Sequence, residues 1–549
     1  MPASSTAPTN ANAGLIRRAL LLIVLVTFAR LIIILITPIE LAGDEAQYWD
    51  WSRRLDLSYY SKGPGIAWTI AASTSIFGSS EWAIRLPAVI ASAITLLAAM
   101  WLAIQLRPAA RGVAALTTVL ALIAIPALHG AALLMTIDSP YIACWALACA
   151  LAWRCWARLT HNQPAAPTAI ALGLALGLAF LYKYTALILP FGFCAFALMR
   201  RRDLPRSAAV ARTIALIAFT FALCTLPVFI WNAQHDWPTL RHLMGHLGMP
   251  AGDLPIKPNA PRDNAFPLWT LEYLAAQLGV IGPILILMAA ATIEAVRQRA
   301  TDTNRWSQNL FLICCGWPVF LFYLFVSFIT DIEANWPLAG VITLVILAAR
   351  STEQHLRTWR QRVHAWRAQP PPRPRAGLLL ARPESPWQIA WHASIAFGVI
   401  ALIFLAAAPW LGDAPLIGKF IPLSRVSGAR ELAHAVSMAH YGAHGAANPP
   451  IITTHYQTTA RLAYYLPNHP AVRCASAFLG DRASSYDHFT DTRLDNPDLL
   501  HREVLLVGGS ERKWQRSRLQ LTNLRMVDET HRIARARFEG LKPPEDPAP

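Results

Sequence analysis

The sequence predicts a multi-spanning α-helical membrane protein with about 11 transmembrane helices and a small α/β domain at its carboxyl-terminal end. Three observations carry that prediction: recurrent apolar blocks, arginines gathered in alternate connections, and a change of character after residue 410. Of 549 residues 55% are hydrophobic and only 15% charged. A soluble chain of this length also buries a large core, but not as separate blocks near the roughly 20 residues that cross a hydrocarbon layer.

The blocks fall at about 15–37, 83–104, 112–129, 138–157, 167–182, 184–199, 209–231, 269–295, 308–329, 336–350 and 388–410. The first carries Arg17-Arg18 at its start, and its apolar run is longer than that of a cleaved signal peptide, so it reads as a retained anchor behind a cytoplasmic tail, 1–14. The fifth and sixth are broken only at Tyr182-Lys183-Tyr184 and read either as two short spans or as one broken, partly re-entrant helix.

Charge orients these spans. Arginines cluster after even-numbered spans: Arg200, Arg201, Arg202, Arg206 and Arg212 in one connection, and Arg350, Arg357, Arg360, Arg362, Arg367, Arg373, Arg375 and Arg382 in and around the loop 351–387. That is the positive-inside pattern, so the net charge of +16 reports topology and not nucleic-acid binding. The runs also show little of the aromatic interleaving on which bases stack. Loop 39–82 has six acids against Arg53, Arg54 and Lys62 and belongs outside. The chain therefore divides into a membrane domain, 15–410, and an extracytoplasmic segment, 411–549, with 368–376 a stiff Pro/Arg linker. In the segment, Ile451 to Thr454 and Val504 to Val507 read as strands, and Thr458 to Leu466 has helical spacing. Cys474 is its one cysteine, which excludes an internal disulfide there; the other seven fall in or beside spans as small hydrophobes.

The chemistry-bearing residues concentrate in loop 39–82. Asp44-Glu45 reads as a general base for an acceptor hydroxyl, or as a solvated acid pair opening a helix. Lys62 sits beyond Tyr59-Tyr60-Ser61 and before Gly63-Pro64-Gly65. With six lysines against 42 arginines, a lysine there suggests a demand for a compact ammonium at a phosphate; the other reading is a snorkelling interfacial side chain. Lys183, between two tyrosines, follows the same logic, as a second phosphate cation or a charged anchor. Asp138, in Thr136-Ile137-Asp138-Ser139-Pro140, serves as a helix cap, a second carboxylate of the site, or both. Tyr59, Tyr60, His235, Asp236 and Asn335 are candidate substrate contacts, although the segments around His235 and Asn335 also suit an interfacial aromatic belt. Arg30, midway along the first span, requires an internal partner or a water-filled cavity.

Together these motifs resemble the membrane-embedded glycosyltransferases of the GT-C fold that use polyprenyl-phosphate sugars. These include protein O-mannosyltransferases, lipid A aminoarabinose transferases and bacterial galacturonosyl transferases of lipopolysaccharide. The resemblance rests on Asp44-Glu45, Lys62-Gly63-Pro64, the stretch from Phe77-Gly78 to Arg85-Leu86-Pro87, Asp138, Gln277 to Pro283 and Asn335-Trp336-Pro337, and covers about residues 15–350. It implies inverting sugar transfer on the outer face of the cytoplasmic membrane, from a polyprenyl-phosphate donor to a lipid, glycan or protein acceptor. Asp44 would be the catalytic aspartate, Glu45 and Asp138 further acids of the site, and Lys62 the donor-phosphate contact. Ser61 stands where the aminoarabinose transferases carry an acid linked to a bound metal, so no metal or other cofactor is expected. A lipid transporter or flippase is the rival reading. It places its site at mid-membrane between internal repeats, and this chain shows no convincing repeat.

Overall fold

The computed structural model describes residues 7–205, 208–247, 249, 252–253, 262–300, 302–330, 332–368, 386–411, 423–441 and 448–543. Arg206, Arg373, Arg375, Arg382 and nearly all of the 368–376 linker lie outside them. The chain forms two compact units, each assembled from three stretches: 1–35, 88–226 and 262–407 in the first, 36–87, 227–261 and 408–549 in the second.

The first unit is helical, and the protein is a multi-pass membrane protein. Each of the eleven apolar blocks is helical, two of them as bent pairs of helices, but length and composition qualify fewer of them as spans. Among the described residues six helices qualify singly: Asn12–Ile36, Glu81–Leu106, Asp138–Thr160, Ala208–Gln234, Thr303–Val326 and Pro386–Leu411. Two bent pairs, Pro108–Ile123 with Pro126–Leu133 at 74° and Leu268–Ile281 with Ile284–Arg297 at 103°, raise the number to eight. The pairs bend where Pro126 and the left-handed Gly282 with Pro283 interrupt the hydrogen-bond ladder. The blocks at 167–182 and 184–199 are two short helices, Ala166–Tyr182 and Ile188–Met199, joined by one 3₁₀ turn. The block at 336–350 opens the helix Val341–Arg367, whose second half is charged.

Small residues let these helices approach. A methyl group at Gly173 would overlap Thr220, and one at Gly177 would overlap Cys224, so neither position tolerates alanine without moving a backbone. The buried Arg30 has the internal partners that its depth requires: it donates to Ser92 Oγ at 3.1 Å and meets His129 Nδ1 at 2.8 Å.

The second unit holds the sheet. Its strands are β1 (Ile451–Thr453), β2 (Arg473–Cys474), β3 (Arg502–Val507), β4 (Leu519–Asp528) and β5 (Ile533–Leu541), in the order β2-β1-β3-β5-β4. β1 is parallel to β2 and β3, and the β4–β5 hairpin closes the sheet antiparallel. β3 is apolar on both faces over Val504 to Val507, as a central strand requires, and Trp514, Phe538, Leu499 and Ile452 pack beside it. The segment 411–549 does not stand alone. Glu40 accepts the Ala429 and Arg430 N–H groups at the start of helix Ala429–Tyr441, at 2.5 and 3.1 Å, and Glu81 takes Arg430 and Tyr465 O–H at 2.5 and 2.6 Å. The first predicted outer loop and the carboxyl-terminal segment are thereby one body.

Candidate active site

Within the second unit, the segment Gly43–Ser52 forms a helix because its acids lie in the first turn, where the backbone dipole favours them, and arginines follow its end. The two adjacent acids then diverge. Glu45 is fully buried: its Oε1 takes Arg85 Nε at 3.0 Å, and its Oε2 takes Arg85 Nη2 and the Ala42 N–H at 3.0 Å each. It is the capping acid, and its bidentate partner fixes the helix start. Asp44 is half-buried, and its Oδ1 accepts from Gln457 Nε2 at 3.0 Å. Among the described residues its Oδ2 has no hydrogen bond. Gln457 reaches this place because residue 43 is glycine; a Cβ there would lie 2.7 Å from the Gln457 side chain. Asp50, at the far end of the helix, is buried with Arg53 and Arg54 at 3.1 and 2.7 Å.

The turn after this helix carries Tyr59, Tyr60 and Lys62. Tyr59 is buried, stacks on Trp51 at 4.5 Å, and hydrogen-bonds the Trp51 and Arg54 carbonyls, which makes it a support of the turn. The Tyr60 hydroxyl donates to Asp253 Oδ2, which also meets His242 Nδ1 at 3.2 Å; His246 contacts His242 Nε2 at 3.2 Å. Lys62 is half-buried, and its backbone carbonyl is held by the Tyr59 N–H at 3.1 Å. Burial and then the Lys62 charge hold His242 down to about 2 and His246 down to about 4, with Arg482 adding to both. Both rings are therefore neutral at physiological pH. Burial pushes Asp253 up, and the Arg482 charge partly offsets it.

His235 stacks on Trp231 at 4.2 Å and meets the Trp231 carbonyl through Nδ1 at 2.8 Å, while Trp231 donates to Asp56 at 2.8 Å. Asp236 is exposed on a left-handed turn with φ of 58°.

The remaining candidates gather in the first unit. Asp138 Oδ1 takes Lys183 Nζ at 2.7 Å and its Oδ2 takes Asn335 Nδ2 at 2.5 Å, with Lys183 5.5 Å from the Tyr141 ring centroid. Asp138 opens its helix, and its carboxylate meets the ion pair and the amide. Lys183 is buried and its charge answers a carboxylate. Three residues far apart in the chain thus form one polar group, with Asp138 and Lys183 buried and Asn335 half-buried.

Sequence reasoning did not single out Gln457, Tyr456 or Arg482. Gln457 and Tyr456 lie in a helix whose apolar spacing drew notice, and Arg482 stands in an irregular stretch with no periodic signal. Tyr60 and His242 share Asp253, and among the described residues no three His, Cys, Asp or Glu side chains converge to hold an ion.

Comparison with known proteins agrees with the resemblance read from the sequence. A family model described as dolichyl-phosphate-mannose-protein mannosyltransferase matches residues 61–231, a stretch that includes Lys62, Asp138 and Lys183. The chain is 30% identical over 341 residues to the lipid A galacturonosyltransferase RgtD of Rhizobium johnstonii. That match spans 60% of this chain and 65% of the relative's length. In fold the chain is similar to ArnT from Cupriavidus metallidurans in the apo state, with a TM-score of 0.55 and 16% identity, covering 94% of this chain and 97% of that one. The ArnT structure bound to undecaprenyl phosphate gives 0.54 and 15%, covering 96% and 99%. The chain therefore has the GT-C architecture of ArnT.

Proposed function

We propose that this protein is an inverting glycosyltransferase. It moves a sugar from a polyprenyl-phosphate donor to a hydroxyl or phosphate of a lipid acceptor, on the outer face of the cytoplasmic membrane. The observation that carries the reading is the Asp44 carboxylate: one oxygen is fixed by Gln457, the other bears no hydrogen bond among the described residues, and Lys62 follows in the same loop. The names of the relative RgtD and of the lipid-bound ArnT structure support the substrate classes.

In this scheme Asp44 takes the proton of the acceptor O–H as the acceptor oxygen bonds to the anomeric carbon. The bond from that carbon to the phosphate oxygen breaks on the opposite face, and its electron pair stays on the phosphate. Lys62 meets the charge that develops there. Glu45 holds Asp44's helix in place through Arg85 and acts as a positioning residue.

Purified protein incubated with labelled polyprenyl-phosphate sugar and a lipid acceptor should release polyprenyl phosphate and label the acceptor. Asp44→Asn should lower turnover about 10²–10⁴-fold at unchanged expression, the usual range for a lost general base. Unmodified donor appearing across a bilayer without transfer, or full turnover by Asp44→Asn, would overturn the reading.

A further inference from the structure

The segment 411–549 has so far served only as a support for the first outer loop. One of its side chains does more. The stretch from Gly480 to Asp491 lies along the Asp44–Lys62 loop: His488 stacks on Tyr60 at 5.7 Å, Phe489 meets Tyr59 edge-on at 6.2 Å, and Asp491 pairs with Arg54 at 2.6 Å. Arg482 is held in that stretch by a single aromatic residue. Its Nη2 donates to Tyr456 Oη at 3.1 Å, and its guanidinium carbon lies 5.1 Å from the Tyr456 ring centroid.

Tyr456 is the neighbour of Gln457, the residue that fixes Asp44, so one backbone step joins the two holders. The charge of Arg482 is also felt on the Lys62 side of the site. Its charge acts with that of Lys62 on His242 and His246, and with that of Asp44 on His455 and Tyr456. Asp481 accepts the Arg482 backbone N–H at 2.8 Å, and among the described residues no carboxylate pairs with the guanidinium.

We infer that Arg482 is a second donor-phosphate-binding residue, supplied by the carboxyl-terminal segment to grip an oxygen of the polyprenyl phosphate together with Lys62. This rests on the proposed transferase function. The donor phosphodiester carries one negative charge, and the departing phosphate gains a second as the electron pair of the broken carbon–oxygen bond settles on it. A planar guanidinium already oriented by Tyr456 stabilises that increase more than it stabilises bound donor.

The experiment uses the full-length protein in detergent with Arg482→Gln, Arg482→Lys and Tyr456→Phe, and reads two quantities. These are transfer against donor concentration and equilibrium binding of the product polyprenyl phosphate. Arg482→Gln should lower turnover by about 10²-fold, the scale of one lost oxyanion donor, and weaken product binding. Arg482→Lys should recover part of both, and Tyr456→Phe should lose less than Arg482→Gln because the ring stack remains. If Arg482→Gln bound polyprenyl phosphate as tightly as wild type, the inference would fall whatever the activity. If it did not fold, Arg482→Lys and Tyr456→Phe with wild-type binding and turnover would overturn it equally. A wild type that bound the product but transferred no sugar would instead count against the transferase reading alone.

Discussion

At the scale of the single residue, two charged side chains close in sequence have taken opposite roles, and burial explains why. Glu45 and Arg85 have no solvent exposure, so each is tolerable only because the other is there; removing one member of such a pair costs about 3–5 kcal/mol. Asp44, one position earlier and half-buried, bears a single hydrogen bond and is left able to accept a proton. The sequence shows two adjacent acids before a helix but not which one faces inward, since that is decided by Arg85, 40 residues away. Lys62 is the clearer case because the chain so strongly prefers arginine elsewhere. Lys62→Ala should weaken donor use and slow phosphate departure, and Lys62→Arg should rescue poorly, because a planar fork is larger and aimed differently from an ammonium. A snorkelling lysine would accept arginine with no loss. The check is donor-concentration dependence for wild type and both variants at equal protein levels, and a wild-type Lys62→Arg would remove the phosphate role.

At the scale of elements, the site is an encounter between a helix start and the side chain of another helix, and glycine permits it. Gly43→Ala changes no charge and keeps helix propensity high, yet its methyl group must displace Gln457. We expect turnover to fall at least tenfold while donor binding stays near wild type, measured as kcat against KM; unchanged kcat would show that Gln457 does not hold Asp44 in the active arrangement. The polar group around helix Pro238–His246 gives a second test, in pH. In the unfolded chain histidines titrate near 6.5, whereas His246 and His242 are depressed to about 4 and about 2, and His455 and His488 are lowered by burial as well. Below about 6.5 the unfolded chain binds more protons, so stability is lost as pH falls. Asp487, pushed up by burial to about 6, and Asp253, also raised, act in the opposite sense. His440, lowered by burial, acts with these four histidines, and His531, raised by its hydrogen bond to Asp528, acts with the two carboxyls; the lowered rings are the larger set, so the unfolding temperature should drop between pH 7 and pH 5, and His246→Gln should shallow that drop. A flat or rising profile would contradict the neutral assignment of these rings. None of this was visible in the sequence, where His242, His246, His455 and His488 stand in no pattern that tells a buried ring from an exposed one.

At the scale of the whole molecule, the apolar blocks were legible because a membrane span is a one-dimensional signal, and every block became helical. Their number was less legible. Proline and glycine bend two blocks, and short helices such as Ala166–Tyr182 and Ile188–Met199 fall below the length of a full crossing. The assembly of residues 36–87, 227–261 and 408–549 into one unit was not legible at all, because it depends on pairs such as Glu40 with the Ala429 N–H and Tyr465 with Glu81, hundreds of residues apart. That unit gives the topology a physical test. Its three stretches pack together, so they must share one side of the membrane, whatever the number of spans between them. With arginines concentrated in 351–387, the positive-inside rule assigns that loop to the cytoplasm and the unit to the opposite face. A reporter inserted within 351–387 should therefore read cytoplasmic, and reporters inserted after residue 411 and at the carboxyl terminus should both read external. The reversed pattern would move Asp44 and Lys62 to the inner face and overturn the proposed site of transfer. Opposite readings from a reporter after residue 411 and one in loop 39–82 would break the unit itself, because one compact body cannot lie on both sides of a bilayer.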